Sequence, residues 1–153
     1  MNWLKAWVPA IAWMGVIFLM SAMPGDVSGA QSGRLLALVL SVIEGIFGEE
    51  AASVIPPEAL HLLIRKAAHM AEYAVLFFLY RRALKMSGAK RPGLSALVLC
   101  ACYAATDEWH QSFVANRGPS VIDVGIDTIG AAIAWGAWEI VRKIKKIRKK
   151  ERK

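Results

Sequence analysis

Three stretches of this chain carry the residues able to do chemistry, and each interrupts an apolar run. Arg65, Lys66, His69 and Glu72 lie in the first. Asp107, Glu108, His110 and Gln111 lie in the second, with Arg117 just beyond. Asp123 and Asp127 lie in the third. On a helix, residues three or four apart share a face, so His69 pairs with Glu72, Asp107 with His110 and Gln111, and Asp123 with Asp127. A histidine beside a carboxylate is a general base in waiting. Arg65, Lys66 and Arg117 can hold a phosphate or carboxylate, and Arg117 can do so through two parallel hydrogen bonds. Gln111 and Tyr73 join them as candidate substrate-binding groups, and Tyr73 serves packing equally well.

Two other accounts use the same residues. His69, Glu72, Asp107 and His110 form two carboxylate–histidine pairs like the inward-pointing ligands of helical-bundle metal proteins, and so could take a divalent metal such as Zn, Mn or Fe. Three cationic side chains beside them weigh against a bound cation. Alternatively the groups neutralise one another and pin helices together, Arg65 or Lys66 with Glu72 or Asp127, and Arg117 with Asp123. Polar contacts between membrane helices are worth roughly 0.6 kcal/mol on average, so ten ionisable groups exceed what gluing needs. Nucleophile-elbow, phosphate-loop and zinc-protease motifs are absent.

The elements that position these groups read as membrane helices. The chain has 153 residues and is 56% hydrophobic, above the roughly 45–50% of soluble domains. This suits a single all-α membrane domain over residues 1–153. Spans are expected at about 3–23, 58–81, 93–114 and 120–141. Ala6 to Met23 is uncharged and about 27 Å long as a helix, close to the hydrocarbon thickness. A cleaved signal peptide is the competing reading, but its apolar core runs only about 7–15 residues. Pro24-Gly25-Asp26 and Ser28-Gly29 should open a loop. Arg34 to Phe47 then reads as a short amphipathic helix on the outer surface. Ser120 is placed to cap the fourth span, with Asp123 completing a capping box. Cys100 and Cys102 point to opposite sides of a helix and serve as small hydrophobes.

Charge sets the orientation. The 81–91 loop and the 142–153 tail hold most of the Lys and Arg, whereas residues 24–61 hold Asp26, Glu44, Glu49, Glu50 and Glu58 against Arg34. By the positive-inside rule both termini are cytoplasmic. The net charge of +7 concentrates in the tail, which suits an anionic membrane surface. That tail lacks the interleaved aromatic residues of single-strand binders, so no nucleic-acid partner is expected. With this topology all three polar stretches fall at one depth, just under the outer surface. A shared outward-facing pocket follows. Its expected role is to bind, or modify, an anionic envelope lipid or a lipid-linked cell-wall precursor. A membrane partner subunit or a small proton-linked carrier is the alternative. A carrier needs polar paths from both sides, and the cytoplasmic halves of the spans are uniformly apolar.

The stretch Arg65-Lys66-Ala67-Ala68-His69-Met70-Ala71-Glu72-Tyr73 resembles the first signature of the VanZ-like membrane proteins. Asp107 to Phe113 with Arg117 resembles the second, and Asp123 and Asp127 ahead of Gly130 resemble the third. Ser21-Ala22-Met23-Pro24 is similar to the family's ending of helix one. The resemblance runs from about residue 5 to 140. It implies a multi-pass protein of the bacterial cytoplasmic membrane. The family's founding member is associated with low-level resistance to the glycopeptide teicoplanin, an association that defines a phenotype and no reaction.

Overall fold

The computed structural model describes residues 3–48, 50 and 56–152. Glu49, counted above among the outer acidic residues, and Lys153 of the tail lie outside the described residues. The helices of the described residues are α1 (Trp3–Ser21), α2 (Gly25–Phe47), α3 (Pro57–Met86), α4 (Pro92–Gln111) and α5 (Val121–Glu151). Pro57 and Pro92 open α3 and α4 at the position where a missing N–H costs nothing. Gly48 and Gly88 follow α2 and α3 with φ of 87° and 81°, conformations glycine adopts freely.

α3 is the centre of the bundle and touches each of the other four helices. It contributes Tyr73, Leu76, Phe77 and Tyr80 to the core, which Ala96, Cys100 and Ala104 of α4 and Ala131 and Ala134 of α5 complete. Small residues on α4 and α5 let the helices approach closely, as membrane bundles require. The tightest point is Gly130. A Cβ there would stand 2.3 Å from the Met70 carbonyl oxygen, so α5 crosses directly over the α3 backbone. α1 carries Pro9 inside it, which removes the N–H that would bond to the Lys5 carbonyl. Arg82 of α3 donates to that freed carbonyl at 3.2 Å.

The outward surfaces are apolar, with Leu4, Leu19, Leu38, Ile46 and Ile133 all more than half exposed. By length and composition three helices can cross a membrane, Leu4–Ser21, Gly25–Phe47 and Val121–Glu151. The first and last match expected spans. α3 and α4 fall outside that set because Arg65, Lys66 and Glu72 interrupt one and Asp107 and Glu108 end the other.

The second helix departs from the sequence reading. It is a 23-residue helix beginning at Gly25, where a loop followed by a short surface helix was expected. Ser28, Gly29 and Gly33 are helical because α2 leans on α3, with the Gly29 carbonyl 3.3 Å from His61 Nε2. Such tertiary support outweighs weak helix propensity. The basic tail likewise continues α5 as exposed helix to Glu151.

Candidate functional site

The three polar stretches meet at one end of the bundle, where α1 ends, α4 ends and α5 begins. They divide there into two neighbouring arrangements.

The first is a buried network between α1, α4 and α5. Ser21 Oγ donates to Asp107 Oδ2 at 2.8 Å, and Gln111 Nε2 donates to the same oxygen at 3.1 Å. The Gln111 carbonyl oxygen accepts from Arg117 Nη1 at 3.0 Å. Arg117 also donates from Nε to the Met23 carbonyl and from Nη2 to the Met20 carbonyl, at 3.0 and 3.1 Å. Its guanidinium therefore ties the 112–120 loop to the chain at the end of α1, where helix carbonyls run out of intrahelical N–H partners. The expected pairing of Arg117 with Asp123 is not formed, because Lys66 takes Asp123 instead. Arg117 lies in the loop after α4. Burial and the Arg65 charge disfavour its cationic form, opposed by the Asp107, Glu108 and Glu72 carboxylates.

Glu108 completes this network by accepting from the Ser120 backbone N–H at 2.8 Å. Ser120 does stand at the start of α5, but its side chain makes no capping bond. The capping carboxylate comes from α4 rather than from Asp123, so the expected local box is replaced by a tie between helices. Asp127, 2% exposed, is buried in α5. Ser21, Asp107, Glu108 and Gln111 are buried as well. One Asp107 oxygen, Oδ1, finds no hydrogen-bond partner among the described residues.

The second arrangement is an open cavity of about 180 Å³ between α1, α2, α3 and the 112–120 loop. Arg65, His69 and Glu72 line it from α3, and Arg117 lines it from the loop. His69 Nδ1 lies 3.7 Å from Glu72 Oε2, an ion-pair distance longer than a hydrogen bond. The walls are apolar, with Met20 of α1, Leu35 of α2 and Ile64 of α3. Ser28 and Ser32 add hydroxyls from α2. A cavity with convergent charged groups on an otherwise apolar lining is the usual form of a ligand site.

Helix rotation explains the division. Arg65, His69 and Glu72 form one stripe of α3, while Lys66, one residue on, turns about 100° away toward α5. Tyr73 turns the same way and is fully buried in the core, its ring centre 6.3 Å from that of Tyr103. It does not line the cavity. His110 also lies apart. Its ring packs on Phe18 at a centroid distance of 4.2 Å, and its Nδ1 is buried without a partner among the described residues. Trp109, 69% exposed, packs edge-on against Phe113 outside the cavity.

No three His, Cys, Asp or Glu side chains among the described residues are disposed to share an ion. His69 lies beside Glu72 on the cavity wall, whereas His110 packs on Phe18 and Asp107 bonds to Ser21 and Gln111.

Sequence reasoning missed the α2 contribution. Ser28, Ser32 and Leu35 recur at helical spacing, a signal visible only once residues 25–34 are read as helix. Ser21 entered through the family resemblance and proves to be the α1 partner of Asp107.

No curated protein and no solved structure matches the chain. The model of the VanZ/LLP1 family matches residues 6–142, nearly the whole chain. On that match, and with the signature residues of its three polar stretches gathered at one end of an all-helical bundle, the chain belongs to the VanZ/LLP1 family of membrane proteins.

Proposed function

We propose that the open cavity binds the anionic head group of an envelope lipid or lipid-linked peptidoglycan precursor at the outer leaflet. The observation that carries this reading is the company His69 keeps. It sits with Glu72, Arg65 and Arg117 on the wall of a cavity whose remaining lining is largely apolar. Arg65 is the cation available to a ligand, since no hydrogen bond or ion pair among the described residues engages its side chain, whereas Arg117 is anchored to carbonyls and presents charge from a fixed place. Leu35 and Ile64 suit the first carbons of an acyl or prenyl chain. With Nδ1 turned to Glu72, Nε2 is the nitrogen that meets the ligand. A head group drawn in by Arg65 would bring the pair to hydrogen-bond distance, as ligand binding commonly does for loose pairs. His69 would then take a proton from water or from a ligand hydroxyl, with Glu72 stabilising the imidazolium.

The reading requires four spans, α1, α3, α4 and α5, with the basic tail in the cytoplasm and α2 lying at or within the outer face. The charged residues in α3 are tolerable at that depth because they face an open cavity shared with Arg117 rather than lipid. An altered supply or charge of a surface precursor is a route to changed glycopeptide susceptibility.

The test is binding of a short-chain anionic lipid to the full chain in micelles, by calorimetry. Wild type should bind it in preference to a zwitterionic lipid, and Arg65→Gln and His69→Ala should each weaken binding by about tenfold, near the 1.4 kcal/mol of a charge-assisted hydrogen bond. Equal affinity in all three proteins would refute the assignment.

A further inference from the structure

At the other end of the bundle a second cavity, of about 320 Å³, opens between α3, α4 and α5. Arg81, Lys90, Arg91 and Arg142 line it, and Glu139 is the single carboxylate among its lining residues. Glu139 is already matched by Arg142, with Nη2 2.6 Å from Oε2. Arg81 is held in place by Trp138, its guanidinium carbon 3.9 Å from the ring centre. Arg81, Lys90 and Arg91 are therefore an excess of positive charge around a concave space.

The positive-inside rule asks only that the loops at this end be basic. It does not ask that cations from α3, α5 and the loop before α4 converge on one cavity. The surroundings are also wrong for a purely aqueous anion. Leu94 and Trp135 form part of the lining, and Gly93 is packed so closely that a Cβ would stand 2.8 Å from Trp135 Nε1. Arg81 is shared with an adjoining hollow where Phe78, Met86 and Trp138 form an apolar floor and Arg82 and Lys85 add further cations. Basic pockets between membrane helices at the cytoplasmic side are where phosphate head groups dock.

We propose that this cavity binds the phosphate head group of an anionic phospholipid of the leaflet at the basic end. Lys90, Arg91 and Arg81 would meet the phosphate, and the groove past Phe78 and Trp138 would take the start of an acyl chain. The site lies at the opposite end from His69, so it stands or falls separately from the outward pocket.

Native mass spectrometry of the full chain in detergent tests it, by titration with phosphatidylglycerol or phosphatidylcholine. An Arg65→Gln, His69→Ala background keeps lipid at the other end out of the count. Phosphatidylglycerol should be retained in preference. Lys90→Gln with Arg91→Gln should weaken retention by about tenfold or more, since each basic residue at an anionic surface is worth about a factor of five. Lys149→Gln with Lys150→Gln, in the exposed tail, should leave it unchanged, and millimolar inorganic phosphate should not displace the lipid. Equal retention of both lipids would overturn the proposal. So would unchanged binding in the Lys90 and Arg91 variant, an equal loss in the tail variant, or displacement by inorganic phosphate, which would mark a site for soluble anions.

Discussion

Asp107 and His69 lie at the same end of the bundle, in motifs of the same pattern, yet their surroundings differ in kind. Asp107 is 3% exposed and receives hydrogen bonds from Ser21 of α1 and Gln111 of its own helix. His69 lies on the wall of an open cavity, with only a long contact to Glu72. A buried polar group whose partners are in place sets geometry, because exchanging those partners is costly. A histidine–carboxylate pair that faces a cavity and is left loose is free to meet a ligand. The buried network joins the end of α1 to α4 and α5 and, through Arg117, fixes one wall of the cavity that His69 shares. The ionisable residues of this bundle thus divide into those bonded to one another across helices and those that line the open cavity.

This contrast predicts different outcomes for substitutions in the network and on the cavity wall. The largest effect on folding is expected from Asp107→Ala. It strips the acceptor from buried Ser21 and Gln111, and should cost about 2–3 kcal/mol, read as a lowered melting temperature in micelles. Gly130→Ala comes next. Its new methyl would press on the Met70 carbonyl, and parting α3 from α5 should cost about 1–3 kcal/mol in the same measurement. His69→Ala should be the mildest, within about 0.5 kcal/mol of wild type, because the side chain is partly open and supports no packed neighbour. It should nonetheless lose ligand. A His69→Ala protein as unstable as Asp107→Ala would erase the distinction between the two regions.

Much of this was legible before any coordinates. The starts of α1, α3, α4 and α5 lie within a residue of those read from the apolar runs, whereas α3 continues to Met86 and α5 to Glu151, past the expected ends at 81 and 141. The meeting of the three polar stretches follows from helix direction alone, since α3 and α5 run against α1 and α4. The division between network and cavity was not legible. Spacing says that Asp107, His110 and Gln111 share a side of α4, but not which neighbour each one faces. His110 and Gln111 are about 100° apart, enough to send one to Phe18 and the other to Asp107. Arg117 reads as an anion binder from its chemistry, whereas it donates to the Met23 and Met20 carbonyls where α1 stops and to Gln111. The length of α2 was hidden because glycine and serine at its start argue for a loop, and the contacts with α3 that make them helical are made across the fold.

Thiol accessibility tests the central claim most directly. In a Cys100→Ala, Cys102→Ala background, single cysteines are placed at positions 65, 72 and 107, and intact spheroplasts are treated with a membrane-impermeant maleimide. Cysteines at 65 and 72 should be labelled from the outside, and an anionic lipid analogue should protect them, while a cysteine at 107 should stay unlabelled until the protein is denatured. Labelling at 107 equal to that at 65 and 72, or labelling at 65 and 72 only after the membrane is opened, would contradict an outward pocket held by a buried network.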